Sequence, residues 1–562
     1  MPSAMDCTVA VGYVSQAPAA SPYPGHPEWH WNSPVTTPAS AVAFSRAVET
    51  AIDEGDLERA VDLLSEHWPR FVGLHGALVR SLLGTLPRER WHADPWLVTA
   101  MASTHRTAGS ADPGEAMQYF TAADLVTTSD VPVVTRAAMA LHRAIALRAV
   151  GWLAKADESV VNGRTLLASD RAIPGAIRRN LQVRFAMQAG ILAIHLGDYD
   201  TAESELSMAA GAGDADLQHE ERVELLGASA FLAYCLGDLS RADALVDSAR
   251  RAAGTIADAP VLLTSRHAAP ALITEVLLAV ERADHAGADT VLRTMRRASR
   301  RSDWELLAIQ AEAGSAMLQG RFREGLELLR TMEALESEWD PAGAVHTSRL
   351  ALTAGLLVRL GEVDAGQELL RALTPTQHHV TCPALHEGRL LVQEGDFFAA
   401  LRAIDECSDL GDTHSSRTNV DVLLVRAAAH YGLGNTRHGD IAFDVAALLG
   451  ARNGALRPFE FFPVLALEPM VVRAMDRKQP QRLHGFLHDV HARASARSNG
   501  AWQQDELTNR ERAVVDALLA GQSHGQIAAK LLLPPTAVKK YVRTIYRKLE
   551  ASSRREAAQQ SH

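Results

Sequence analysis

Five cations fall within ten positions near the end of the sequence: Lys539, Lys540, Arg543, Arg547 and Lys548, in the stretch KKYVRTIYRKL. Lysine and arginine at this density are suited to polyanions. Both pair with phosphate oxygens, and arginine can also fork two N–H bonds onto the edge of guanine. Spacing decides whether they act together. On a helix turning about 100° per residue, Val542, Ile545 and Leu549 fall within about 40° of Val538, whereas Lys539, Lys540, Arg543 and Arg547 lie about 100° to 200° away. One side is apolar and the opposite side basic. Such a helix can rest its apolar side on a core and lay its cations in the major groove of DNA. A solvated charged face is the blander account, but it does not explain why four cations cluster there without acids.

The preceding residues supply elements that would position this helix. Thr508-x-x-Glu511 has the form of a capping box, in which the first side chain and the fourth satisfy each other's backbone N–H groups. Val514, Val515, Leu518 and Leu519 follow on one side, and Gly521 is a helix stop. Ser523-x-x-Gln526 opens a second, short helix with Ile527, Ala528 and Leu531. Pro534-Pro535 starts the third, since proline is tolerated in a first turn. Ser553-x-x-Glu556 is a third box and predicts a short fourth helix. Four helices with tight turns fit a helix-turn-helix unit over residues 507–562.

This stretch resembles the LuxR-type helix-turn-helix of bacterial transcription regulators. The match runs through Leu507-Thr508-x-Arg510-Glu511, Leu518-x-Ala520-Gly521-x-Ser523, Ile527-Ala528-x-x-Leu531, Val538-Lys539, Lys548-Leu549 and Arg554-x-Glu556-Ala557. The resemblance implies that Lys539, Lys540 and Arg543 read bases and that Thr536, Arg547 and Lys548 contact the DNA backbone. It implies double-stranded DNA as partner, bound by a homodimer on an inverted repeat. The sequence departs from the family pattern at four places. Pro534 stands for a capping Ser, Ala537 for a Thr, Tyr541 for a common His and Glu550 for a Gly.

Charge separates this segment from the rest. Residues 507–562 hold ten basic and four acidic residues, a net +6, which leaves −17 on the other 506 residues of a chain at −11. A small module with a polyanionic partner, attached to a larger acidic body, fits that asymmetry.

The body is expected to be a helical array. Aromatics are sparse at 5% and alanine is abundant, which favours packed helices over sheets. One phrase recurs nine times: a small residue, often followed by Asp, then a second small residue five positions on and an apolar pair. The copies are Gly55/Ala60, Gly151/Ala156, Gly197/Ala202, Gly237/Ala242, Ala283/Ala288, Gly320/Gly325, Gly361/Gly366, Gly395/Ala400 and Gly434/Gly439. Glycine ends one helix in a left-handed cap, Asp caps the next, and the small residue lets the pair approach closely. A single hairpin cannot bury its apolar face, so the units must stack. The expected fold is therefore all-α: a helical-hairpin repeat solenoid resembling tetratricopeptide arrays over 39–491, then the four-helix module. An array before a basic module resembles the sensor region of MalT-like regulators. Its concave groove is the expected seat of a protein or small-molecule effector. The ATPase usual upstream is lacking, since no GxxxxGK[ST] phosphate loop occurs.

Residues 1–38, rich in Pro and Ser, read as a disordered arm, and 492–506 as a polar linker. No signal peptide and no stretch long enough to span a bilayer are seen, which leads to an expectation of a cytoplasmic protein, associated with the nucleoid when bound to DNA. His378, His379, Cys382 and His386 are the closest approach to a metal-ligand cluster, but Pro383 starts a helix there and no fourth ligand is evident, so no metal is expected. No cofactor motif and no catalytic constellation stand out, and the protein is not expected to be an enzyme. The expected function is a DNA-binding transcription regulator. The alternative is a helical-repeat scaffold whose degenerate module, altered at Pro534 and Ala537, no longer binds DNA.

Overall fold

The structure, a computed structural model, describes residues 40–105, 113–211, 217–255, 258–336, 343–408, 415–501 and 507–560. Among these residues every regular element is a helix. The arm at 1–38 lies outside them.

The recurring phrase folds as the spacing predicts. The glycines of eight copies, from Gly55 to Gly434, have positive φ, and so does Ala283, at φ 53°. Ala283 takes the left-handed cap at a cost that glycine would avoid. The Asp after the turn caps the next helix by its carboxylate: Asp56 accepts from the Arg59 N–H at 3.0 Å, Asp238 from Arg241 at 3.0 Å and Asp284 from Gly287 at 2.9 Å. The small residue five on is buried in every copy. At Ala60, Ala156, Ala202, Ala242, Ala288 and Ala400 nothing of the side chain remains exposed.

The two helices of a hairpin differ in kind. Leu239–Ala253 buries Leu239, Ala242, Val246, Ala249 and Ala253, a single stripe at three- and four-residue spacing. Its predecessor His219–Leu236 is buried almost all round, through consecutive residues from Ala230 to Cys235. The outer helices face water, and the inner ones are packed on both sides.

The inner helices carry charge into the interior. Arg148, fully buried, donates to Gln188 Oε1 at 2.9 Å, to Glu224 Oε1 at 2.6 Å and to Asp303. Burial alone would raise the Glu224 pKa, but Arg266, Arg148 and His267 outweigh it and hold the carboxyl well below its ordinary value. A second network joins hairpins far apart in sequence. Arg417 and Arg457 both donate to Glu281 Oε1, at 3.3 and 2.9 Å, and Arg457 reaches Asp421 at 3.0 Å. The array also coils back on itself. The Ser416 hydroxyl donates to the Gly237 carbonyl at 2.7 Å, and a Cβ on Gly237 would come within 2.6 Å of the Arg417 nitrogen. Chain from Gly343 onward thus covers part of what an extended solenoid would leave open.

The expected linker is shorter than its polarity suggests. Helix Gln481–Ala501 runs ten residues into the 492–506 segment. Ala494 is fully buried, and the Arg497 guanidinium donates to the carbonyls of Phe459, Glu460 and Phe462. With Ala and Arg favouring helix and no proline present, the helix continues. Residues 502–506 lie outside the described residues.

Candidate nucleic-acid interface

Helices Asn509–Leu519, His524–Leu531 and Pro535–Gln560 form the C-terminal module. Both upstream capping boxes close. Thr508 Oγ1 accepts from the Glu511 N–H at 3.3 Å and Glu511 Oε2 from the Thr508 N–H at 2.7 Å. Ser523 and Gln526 exchange the same bonds at 3.4 and 2.7 Å. The second helix ends at Leu532, which is left-handed at φ 52° and 91% exposed.

The expected fourth helix is not separate. Ser553-x-x-Glu556 lies inside Pro535–Gln560, which is continuous. A capping box starts a helix only where the backbone has first been broken. Here Glu550 and Ala551, good helix formers, stand where a glycine would have stopped the turn.

Val538, Val542 and Ile545 are buried in the module core with Val514, Val515 and Ile527. Lys539, Lys540, Arg543 and Thr536 are exposed on the long helix. The side chains of Arg547 and Leu549 lie outside the described residues. Lys548 takes a different place from its companions. Its Nζ donates to Glu511 Oε2 at 2.7 Å, against a carboxylate only 5% exposed. Burial alone would raise the Glu511 pKa, but Lys548 and the Thr508 N–H and hydroxyl outweigh it and lower it. Lys548 therefore ties the long helix to the first one.

Residues 505–561 match the family model of the bacterial regulatory proteins of the luxR family. That match covers the module and not the array, and it supports a DNA-binding transcription regulator. No curated protein matches the chain. No helix among the described residues is long and apolar enough to cross a membrane. Nor do the described residues hold a group of three or more His, Cys, Asp or Glu fit for a metal ion. At the site singled out in the sequence, Cys382 is the N-cap of helix Pro383–Glu394, and burial together with Arg389 lowers the His386 pKa to about 4.

The cationic helix does not stand clear of the array. Lys539 Nζ is 3.5 Å from Asp396 Oδ1, and Arg543 is 3.9 Å from Glu394 Oε1. Between these two acids, Gly395 forms the repeat turn, and a Cβ there would meet the His524 ring at 2.4 Å. Phe397 packs on that ring with centroids 4.6 Å apart. On the other side, Leu465 of helix Val464–Met475 joins the module's apolar core. The sequence marks Gly395-Asp396 only as one more hairpin turn. Nothing local distinguishes it from its eight counterparts, and its meeting with the module becomes visible only once the array is built.

Proposed function

We propose that this protein is a transcription regulator in which the face bearing Lys539, Lys540 and Arg543 enters the major groove of DNA, while the array holds that face in check. Lys539, Lys540 and Arg543 read base edges, with Thr536 and Arg547 on the phosphates. Lys548 serves the fold of the module first, since it is committed to Glu511. The observation that carries the reading is the division of one helix, with Val538, Val542 and Ile545 in the core and the cations outside. The luxR-family match at 505–561 supports it. A homodimer on an inverted repeat is part of the reading, because paired half-sites add the affinity that one small module lacks.

The array is the regulatory part. In the docked arrangement the Glu394-Gly395-Asp396 turn lies against the cationic helix, where a DNA backbone would have to pass. A duplex brings phosphates to both sides of a recognition helix, and two carboxylates there oppose them. Docking and DNA binding are therefore alternatives, and an effector that shifts the docking equilibrium controls DNA occupancy. The protein works by binding, and the reading includes no catalysis.

The test is a Lys539→Ala, Lys540→Ala, Arg543→Ala triple variant of the full chain, measured on DNA sites recovered by genome-wide mapping of the wild type. These side chains face away from the core, so the helical circular-dichroism signal is retained while specific binding is lost. A folded triple variant that keeps wild-type affinity refutes the reading and leaves a helical-repeat scaffold in its place.

A further inference from the structure

Between the array and the module lies a cleft of about 320 Å3. Phe397, Ala428 and Met470 wall it on the array side, and Leu519, Gln522 and His524 on the module side. Small-molecule sites are concave, mostly apolar, and placed at interfaces between domains, with a few polar groups that fix orientation. The cleft is concave and lies at such an interface; its lining is as polar as it is apolar, with Arg473, which is committed to Asp440, and Asp476 on exposed positions, and two of its buried polar side chains are unsatisfied. His524 is only 8% exposed, yet neither ring nitrogen has a hydrogen-bond partner among the described residues. Gln522 Oε1 is likewise buried without one. Buried polar atoms left unpaired in this way cost about 1–3 kcal/mol each, and a turn of either side chain that brings them to a molecule in the cleft recovers that cost.

The chemistry of the walls restricts the molecule. Burial, and then the nearby Lys539, lower the His524 pKa to about 4, so the ring is neutral and offers one N–H and one lone pair. Arg473 and Asp476 line the cleft where it is open to water, so their charges are screened; at His524 a carboxylate would meet a neutral, desolvated ring, and a cation would meet the field of Lys539. An uncharged head that both donates and accepts suits His524 and Gln522, with an apolar body against Phe397, Ala428, Met470 and Leu519.

We propose that this cleft is an effector site for a small uncharged amphiphile, an aliphatic or aromatic body with a hydroxyl, amine or amide head, and that its occupation holds the module docked. The direction follows from the walls. The array supplies the larger part of the walls and the module the rest, so the site is complete only in the docked arrangement. A ligand of the docked form must stabilise it and lower DNA affinity. The effect on DNA rests on the regulator reading given above, whereas the site itself does not.

The probe is N-phenyl-1-naphthylamine, an uncharged diaryl amine with one N–H, dim in water and bright in apolar surroundings. It is titrated into the full chain by fluorescence. Saturation at one site is expected. Ala428→Met, which fills the cleft from the array side, should weaken binding at least about tenfold, a loss of about 1.4 kcal/mol. Gln522→Met keeps the bulk but removes the acceptor, and should weaken it about threefold to tenfold. Should Ala428→Met unfold, the Gln522→Met arm decides. Saturating probe should lower the affinity of the wild type for DNA severalfold and leave that of Ala428→Met unchanged. Equal probe binding by the wild type and both folded variants overturns the site. Probe that binds in the cleft yet leaves DNA affinity unchanged or raises it overturns the docking effect. If the chain binds no DNA under any condition, the regulator reading fails, and the fluorescence titration still decides the site by itself.

Discussion

Neutralising the two acids of the 394–396 turn, by Glu394→Gln with Asp396→Asn, should increase the affinity of the full chain for DNA. The size of the gain follows from the geometry. The Lys539–Asp396 pair is 3.5 Å long with side chains 49% and 45% exposed, and the Arg543–Glu394 pair is 3.9 Å long at 71% and 31%. Exposed pairs of this kind contribute about 0.2–1 kcal/mol each, so removing both takes about 0.4–2 kcal/mol from docking. While the docked form dominates, apparent affinity scales with the undocked fraction, which gives a rise of about 2- to 30-fold.

Fluorescence anisotropy of labelled duplex measures the rise, and a control isolates its cause. Removing acid anywhere reduces repulsion of DNA. Glu387 and Asp405 are exposed on the same hairpin and, among the described residues, form no ion pair with the module, so Glu387→Gln with Asp405→Asn makes the same change in net charge and leaves the Lys539 and Arg543 pairs in place. That control should stay within about twofold of wild type, because an exposed charge that pairs with no module side chain is largely screened at about 0.1 M salt. Amide hydrogen exchange over His524–Leu531 should quicken in the first double variant and not in the second. If the two variants raise affinity equally, or neither does, the turn is not holding the cationic helix in check.

Docking should weaken in acid. His524 has a docked pKa lowered to about 4, against an ordinary value near 6.5 when exposed, so docking is at full strength above pH 6.5 and is lost as pH falls through that value; from pH 7.5 to 5.5 the loss is about tenfold, read as faster exchange at the interface and absent in His524→Leu. Pro534→Ser supplies an oxygen for the Ala537 N–H, which now has only the Pro534 carbonyl at 2.9 Å; the module should gain about 0.5–2 kcal/mol in urea unfolding. Arg148→Met leaves Glu224 and Asp303 charged and buried beside an apolar chain, and should cost the array about 3–5 kcal/mol, seen as a lowered melting temperature with module exchange unchanged.

Much of this architecture is legible in the sequence, for local reasons. A left-handed cap and a small residue five positions on are each set within a turn or two of chain, and all nine copies take the turn and bury the small residue. The two capping boxes at Thr508 and Ser523 close for the same reason. One local signal is overridden by another. Ser553-x-x-Glu556 has the residues of a box, but Glu550 keeps the preceding helix from stopping. Arg497 reads as a linker residue because its partners, the carbonyls of Phe459, Glu460 and Phe462, lie more than thirty residues upstream. Lys548 reads like its neighbours on the cationic face, yet Glu511, 37 positions away, claims it. Arg148, Glu224 and Asp303 give no sign of meeting, since spacing along one helix says nothing of which charge another helix brings to it. Non-local pairing of charges is the information that spacing does not carry.

The charges also indicate which parts of the molecule can separate. Besides its exposed ion pairs, the array holds two buried networks: Arg148 is fully enclosed with Asp303 and Glu224, and Glu281 is enclosed between Arg417 and Arg457. Breaking one of these strands a charge out of water, so the array resists partial opening. Between array and module the ion pairs are exposed and loose, and His524 and Gln522 hold polar atoms that docking buries without partners. Undocking returns those atoms to water, which offsets part of the cost of exposing apolar surface at Leu465 and Phe397. A seam without buried ion pairs thus runs between the array and the module among the described residues, beside the cationic face. A docking equilibrium that favours the docked form by only a few kcal/mol is what a small ligand can move, since a shift of about 1.4 kcal/mol changes it tenfold. A tightly sealed interface would need a far larger differential affinity before DNA could displace the Glu394-Gly395-Asp396 turn.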